Sequence, residues 1–198
     1  MRLLIVDDHA VVRYGLLTLL PKRWEVEEAA SGEEACAKFW RFRPDLTVMD
    51  LLLPGISGLE ATRRIVKRDP KARVLVFSIH ESPIWMEAAF EAGARGYLTK
   101  RSLPEHLLEA VERLLAGGRY LDPELRGEGI SAELKQLSPR EFEIFLRAAS
   151  GETGSEIAEA LHLSAKTVAN YLSLIRQKLG LRTSAEMAHL ARQLGLLP

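Results

Sequence analysis

The chain predicts an α/β fold, a doubly wound five-stranded parallel sheet, followed by a small all-α domain. Three observations predict it. Short apolar runs, LLIV (3–6), LTVM (46–49), VLVF (74–77) and YL (97–98), are separated by helix-length stretches and read as buried parallel strands. Asp7, Asp8, Asp50, Ser78 and Lys100 sit at or just past the ends of those runs, where an open parallel sheet binds its ligands. From residue 137 onward the apolar spacing is helical throughout, and 198 residues are enough for two domains.

The elements follow in order. After LLIV comes an amphipathic helix over 10–20, ended by Pro21, and a weaker strand over 25–29. Ser31 caps a helix to about Phe42, with Glu33 and Glu34 in its first turn, where the helix dipole favours negative charge. LTVMD is the third strand; the loop LLLPGISG leads into a helix over 59–68, stopped before Pro70. VLVFS is the fourth strand, and a helix over 84–92 ends at Gly93. A short strand over 95–99 and a helix over 104–116, closed by Gly117 and Gly118, complete five strand–helix units. Residues 119–136 mix glycine, proline and charge without a sustained apolar period and read as a linker between a domain at 1–118 and another at 137–198. In the second domain Ser138, Pro139 and Glu141 form a capping-box pattern. That helix ends at Gly151, a short one covers 155–161, Ser164 caps a third through Leu179, and a last helix covers 184–194.

Composition narrows the function classes. Hydrophobic content of 47% with 27% charged residues lets each half bury a core, while a net charge of zero argues against a generally basic nucleic-acid coat. The single cysteine, Cys36, excludes an internal disulfide framework and reads as a half-buried helix residue in a reducing compartment. The apolar start is too short for a signal peptide, and no stretch approaches the roughly 20 apolar residues of a membrane helix. A soluble, cytoplasmic protein is expected.

Three carboxylates, a hydroxyl and an ammonium at one sheet edge suit a hard divalent cation and a phosphoryl group. A small octahedral cation such as magnesium takes about six oxygen ligands, several of them water. Asp7, Asp8 and Asp50 supply anionic oxygens, and the cation relieves their mutual repulsion. Asp50 is placed to accept a phosphoryl group as an acyl phosphate, with Lys100 screening its oxygens and Ser78 donating to one of them. His9, beside the acidic pair, has no second histidine near it and reads as a packing or loop residue.

The strings DDH (7–9), MDLLLPGISG (49–58), VLVFSIH (74–80) and GARGYLTK (93–100) resemble the receiver domain of bacterial two-component response regulators, in order and spacing over residues 1–120. The resemblance implies Asp50 as the phosphorylation site. It implies Asp7, Asp8, Asp50 and the Leu52 carbonyl as magnesium ligands, and Ser78, Tyr97 and Lys100 as signalling residues. Leu53, where methionine is commoner, and Arg101, where aspartate or proline is common, are departures that remove no chemical group.

In the second domain seven basic and six acidic residues leave a net charge of only +1, but no acid occurs between Glu159 and Glu186, where Lys166, Arg176, Lys178 and Arg182 stand. Val168, Leu172, Ile175 and Leu179 make a buried stripe at helical spacing. Lys166, Ala169, Asn170, Ser173 and Gln177 form the opposite face, small enough to approach base edges, and asparagine can pair bidentately with adenine. LSPREFEIF (137–145) and GETGSEIAEALHLSAKTVANYLSLIRQKLGL (151–181) resemble the LuxR/NarL-type helix-turn-helix. Carried over by position, Ala169, Asn170 and Ser173 fall where bases are read, and Lys166, Thr167, Arg176 and Lys178 where the DNA backbone is contacted. Ser155, Ala169, Tyr171 and Leu174 replace residues that are commonly lysine, lysine, histidine and basic in that family, so weaker non-specific binding and a shallower salt dependence are expected. Leu174 is expected to be exposed and free for a partner.

Together these resemblances imply a response regulator of the NarL/FixJ type and not primarily an enzyme. A sensor histidine kinase would phosphorylate Asp50 with magnesium, Ser78 and then Tyr97 would move inward, and the shift would free the recognition helix or promote homodimers that bind paired half-sites on double-stranded DNA. The rival enzyme reading, an aspartate-dependent phosphohydrolase of haloacid-dehalogenase type, needs D-x-D after the first strand, and DDHAV lacks the second acid at that spacing. The residues also leave room for a regulator that works without phosphorylation, its acidic pocket vestigial, and for a pure protein-interaction module.

Overall fold

A computed structural model describes residues 1–81, 83–125, 134–194 and 196–197, with the backbone alone of Lys135 and Pro139. Residues 126–133, within the stretch expected to be a linker, lie outside the described residues. The chain divides into two compact units.

The first unit alternates strand and helix: β1 (Arg2–Val6), α1 (Ala10–Leu19), β2 (Glu25–Ala29), α2 (Gly32–Phe42), β3 (Leu46–Met49), α3 (Gly58–Arg68), β4 (Val74–Ser78), α4 (Pro83–Glu91), β5 (Gly96–Thr99) and α5 (Pro104–Leu115). A further two-residue strand, β6 (Tyr120–Leu121), pairs with β5. All pairings are parallel, in the order β2-β1-β3-β4-β5-β6. The sheet therefore has six strands and not the five expected. Two residues carry too little periodicity to register as a strand, and the Gly117-Gly118 helix stop directs attention to a loop.

Alternation along the strands builds a core on each face. Leu3 and Ile5 point to one side, against Leu16 of α1, Leu20 just after it, and Leu107, Ala110, Val111 and Leu114 of α5. Leu4 and Val6 point to the other, against Ala35 and Phe39 of α2 and Ala61 and Ile65 of α3. Both faces being covered is why these strands read as continuous apolar runs. The helices begin and end as their termini dictate: Ser31 accepts from the Glu34 N–H and Ser57 from the Glu60 N–H.

The second unit holds α6 (Pro139–Ala149), α7 (Gly154–Ala160), α8 (Ala165–Leu179) and α9 (Ser184–Gln193). Three reciprocal capping boxes start α6, α7 and α9: Ser138 with Glu141, Thr153 with Glu156, and Thr183 with Glu186. Gly180, in the left-handed region at φ 67°, ends α8. Phe142 and Phe145, with ring centroids 6.3 Å apart, are buried, as are Ile157, Val168, Ile175, Met187 and Ala191. The Lys178 ammonium lies 2.6 Å from the Glu141 carboxylate and 3.0 Å from the Gln136 carbonyl, tying α8 back to the start of α6. Among the described residues no helix is long and apolar enough to cross a membrane.

Strand order places the chemistry. From β1 the chain goes to β2 on one side and, through α2, returns to β3 on the other, so a crevice opens past the carboxyl ends of β1 and β3. The loop after β3 must turn back sharply over that crevice. Gly55 takes φ +78° there, and the Gly58 N–H donates to the Leu51 carbonyl at 2.8 Å. A Cβ on Gly58 would collide with the Asp50 carbonyl oxygen, which is backbone and cannot swing aside. Gly58→Ala is thus expected to destabilise this unit by about 2 kcal/mol or more, through a displaced Asp50 backbone. Urea unfolding of the two proteins measures it, and an unchanged midpoint would show that the loop gives way freely.

Candidate functional site

Three of the five residues expected at the sheet edge converge directly. The Lys100 ammonium, carried past the end of β5, stands 2.6 Å from Asp7 Oδ2 and 2.8 Å from Asp50 Oδ2. Asp50 is nearly enclosed, its Oδ1 accepting from the Leu51 N–H at 2.7 Å; Asp7 is equally buried, its Oδ1 accepting from the His9 N–H at 2.9 Å. Asp8 stands at the exposed rim, its carboxylate 2.7 Å from His9 Nδ1. Ligand atoms of Asp7, Asp8 and His9 gather within 4.8 Å of one another. Asp50 joins this group through the shared ammonium. His9 is exposed and lies in the loop before α1.

The charges oppose burial. Burial pushes the Asp50 carboxyl above its ordinary value, against the pull of Lys100, so its carboxylate is held less securely and is the more basic for it. Burial works to discharge Lys100, yet the hydrogen bonds to Asp50 and Asp7 outweigh it and hold the ammonium charged. An oxygen-rich anionic set of this kind selects a hard cation over a soft one.

Ser78, at the end of β4, is fully buried, with its hydroxyl accepting from the His80 N–H at 3.3 Å. Tyr97, on β5, is enclosed as well; its hydroxyl donates to the His80 carbonyl at 2.8 Å, and burial pushes that phenol far above its ordinary value. The His80 ring stacks on Trp85 with centroids 4.6 Å apart and planes 25° from parallel. Burial, with help from the Lys100 charge, lowers the His80 imidazole to about 4. Leu52 lies in the loop after β3, half-buried.

One functional group escaped the sequence reading. Asp122, just past β6, is fully buried and collects hydrogen bonds from the residues on both sides of Lys100. Its Oδ2 accepts from the Thr99 N–H at 3.0 Å and from the Ser102 hydroxyl, and Thr99 Oγ1 lies 2.8 Å from Ser102 Oγ. The available signal was the pair Tyr120-Leu121, which repeats the Tyr97-Leu98 of β5 before a polar residue.

In the second unit, Lys166, Ala169, Asn170, Ser173 and Gln177 are all exposed along α8, with Thr167 and Arg176 half-buried beside them. Val168 and Ile175 are buried on the far side, with Leu172 and Leu179 half-buried between them and the surface. The Ser164 hydroxyl accepts from the Thr167 N–H at 3.0 Å, which sets the start of the helix. Leu174 is 47% exposed, a large apolar side chain between Ser173 and the polar face. Lys178 is the member of the expected set whose charge is already engaged, by Glu141.

Comparison with known proteins gives a family for each unit. Residues 3–112 match the response regulator receiver domain, and residues 135–191 match the bacterial regulatory proteins of the luxR family. The transcriptional activator protein ExaE of Pseudomonas putida is 44% identical over 210 aligned residues, covering 100% of this chain and 98% of ExaE. The crystal structure of a LuxR-family two-component response regulator from Aurantimonas sp. SI85-9A1 is 45% identical, with a TM-score of 0.60, over 63% of this chain and 91% of its own. RcsB of Salmonella enterica serovar Typhimurium, solved on promoter P1flhDC with the phosphomimetic BeF3-, is 22% identical with a TM-score of 0.71 over 100% of this chain and 99% of its own, a likeness of fold.

The half-buried His80 makes acid stability testable. Its imidazole titrates near 4 when folded and near 6.5 when exposed, so the unfolded chain binds the extra proton between those values. Stability contributed by the neutral ring is complete above pH 6.5 and is lost as pH falls toward 4. The loss is expected to be on the order of 2 kcal/mol in wild type. His80→Phe should flatten that part of the profile, measured by urea unfolding at several pH values; an unchanged slope would refute it.

Proposed function

The chain belongs to the response regulators that join a receiver domain to a LuxR-type DNA-binding domain, and from that premise we propose that phosphoryl transfer to Asp50 controls how the α8 surface engages double-stranded DNA. The observation that carries this reading is the pair of buried carboxylates sharing the Lys100 ammonium at the carboxyl edge of the sheet.

Asp50 is the nucleophile. Its carboxylate oxygen bonds to phosphorus as the bond from phosphorus to a histidine nitrogen of a sensor kinase breaks, and the released imidazole takes up a proton. Desolvation of Asp50 favours this step because the carboxylate loses little hydration on attack. Lys100 offers its charge to the phosphoryl oxygens once the carboxylate oxygen is tied up in the mixed anhydride, and the Ser78 hydroxyl, at the same edge, donates to one of them. Asp7, Asp8, Asp50 and the Leu52 carbonyl fit magnesium by their hard oxygen chemistry, and when bound it would neutralise charge on the phosphoryl oxygens.

The acyl phosphate carries about −2 of charge where the Asp50 carboxylate carried −1. Ser78 and Tyr97 respond through His80, since both hydrogen-bond to its backbone. Tyr97 is already enclosed, so in this reading phosphorylation holds the ring inward more than it draws it there. The altered face then favours pairing of two copies on DNA. Ala169, Asn170 and Ser173 read bases, while Lys166, Thr167 and Arg176 meet phosphates and Lys178 does so only in competition with Glu141.

Acetyl phosphate with magnesium is expected to place an acid-labile phosphoryl group on Asp50, to promote dimers and to tighten binding to selected DNA fragments; Asp50→Ala should lose all three. Mass spectrometry reads the adduct, and its absence from folded wild-type protein would overturn the proposal. Asn170→Ala should cost about 1–3 kcal/mol on the preferred sequence alone. Lys166→Ala should instead weaken binding to every sequence and lower the salt slope by about 1. Fluorescence anisotropy against salt separates the two.

A further inference from the structure

Lys100 depends on a loop that nothing in its own motif holds in place. After β5 the chain turns at Lys100 and Arg101 before α5 begins, and the Lys100 N–H donates to the Ser78 carbonyl at 2.7 Å. Within the turn the Ser102 N–H donates to the Thr99 carbonyl at 3.1 Å, Arg101 pairs with Glu81 at the surface, and one buried side chain adds the ties that grip both ends. Asp122 takes the Thr99 N–H and the Ser102 hydroxyl on a single oxygen, gripping the chain on both sides of Lys100. Its other oxygen accepts from the Glu124 N–H at 3.1 Å, and its own N–H donates to the Tyr97 carbonyl at 2.9 Å. Burial alone would raise the Asp122 carboxyl, yet the hydrogen bonds from Ser102, Thr99 and Glu124 hold it below the usual carboxylate range. It is thus an anion whose lone pairs are spent on the loop.

We propose that Asp122 is a positioning residue for the phosphoryl-transfer site: by clamping Thr99 and Ser102 it fixes the backbone from which Lys100 reaches Asp50 and Asp7. The proposal rests on the phosphoacceptor reading only for its rate effect, because the placement of Lys100 can be measured without any phosphoryl transfer. A charge-assisted bond to a buried carboxylate is among the stronger hydrogen bonds, and losing two at once frees the turn that carries Lys100. Misplacement of a charged group by about 1 Å is enough to cost ~100-fold in a reaction it assists.

The test compares Asp122→Ala, Ser102→Ala and Asp122→Asn with wild type in the full chain, using formaldehyde and borohydride to methylate lysines and peptide mass spectrometry to read each one. In wild type, Lys100 should react slowly, since both carboxylates hold its ammonium. Asp122→Ala should raise its rate about tenfold or more, and Ser102→Ala by less, as hydrogen-bonded restraint is removed. Asp122→Asn keeps an acceptor for the Thr99 N–H and should restore most of the protection. Lys38, paired with Glu34 away from this loop, should keep its wild-type rate throughout. If Lys100 is unchanged in both alanine variants, or if Lys38 rises with it, the positioning role is overturned, the second outcome marking Asp122 as a general fold residue. Alongside, acetyl phosphate should label Asp122→Ala about tenfold more slowly than wild type. Equal labelling rates despite an exposed Lys100 would overturn the link to phosphoryl transfer, whereas no labelling of wild type would sink the phosphoacceptor reading and leave the Lys100 result standing.

Discussion

Two carboxylates from different strands share one ammonium in a site from which water is largely excluded, and most of the first unit exists to make that arrangement tolerable. Asp7 and Asp50, both buried, would repel each other at close range without Lys100 between them. Charge in such a place is costly to bury unless it is paired and hydrogen-bonded. Each carboxylate oxygen is engaged to meet that need: the Leu51 and His9 amides take the outer oxygens and the ammonium takes the inner ones. The balance is poised and not relaxed, since burial leaves Asp50 more basic than an exposed carboxylate while Lys100 stays charged. A group that removes negative charge from Asp50, or adds more to it, upsets the balance at once. In the proposed function, a sheet edge built this way registers one covalent event.

The registering depends on rigidity elsewhere. β1, β3, β4 and β5 are central strands whose side chains fill a core on both faces, so the positions of Asp7, Asp50 and Ser78 follow from sheet geometry, while Lys100 is set by the turn after β5. The loops are held by backbone: Gly58 lies against the Asp50 carbonyl so closely that no side chain fits. Side chains that can move then have few places to go. Tyr97 is enclosed with its hydroxyl on the His80 carbonyl, and Ser78 receives the His80 amide, so both residues couple to one short stretch after β4. Ile79, in that stretch, is 63% exposed, which places a responsive backbone next to solvent-facing apolar surface.

The parts of this design that sequence exposes are those carried by repetition or by residue type at a strand end. Apolar runs and helix caps are local, so β1, β3, β4, α2, α3 and α6 fall where the pattern places them. Asp7, Asp50, Ser78 and Lys100 were legible because a polar residue ending an apolar run is unusual and several such endings point to one edge. β6 was not legible, because two residues paired with β5 show no period, and a glycine pair before them reads as a stop. Asp122 was lost with it. Its meaning lies in bonds to Thr99 and Ser102, 23 and 20 residues away, and no spacing rule connects them. Lys178 illustrates the opposite limit: position and charge nominate it for phosphate, while only coordinates reveal Glu141 at 2.6 Å. The capping boxes at Thr153 and Thr183 were readable in principle, as each threonine precedes a glutamate by three residues.

The thin positive charge of α8 bears on how a phosphorylation signal could reach DNA. Each phosphate neutralised contributes about 0.9 to the salt slope of binding, so attraction grows with the number of basic groups brought to the duplex. Along the acid-free stretch these are Lys166, Arg176, Lys178 and Arg182, and Lys178 is partly spent on Glu141. Leu174, exposed where the family commonly places a basic residue, adds none. One copy of such a surface therefore grips DNA weakly, and rearranging its side chains within a single copy changes little. Bringing two copies to paired half-sites doubles the phosphate contacts and makes the second attachment effectively intramolecular, a gain of roughly 10²–10⁴ for linked modules when geometry permits both. In the proposed function, association is thus a larger lever than any adjustment of the recognition helix. A receiver whose face changes with the charge on Asp50 is suited to pulling that lever.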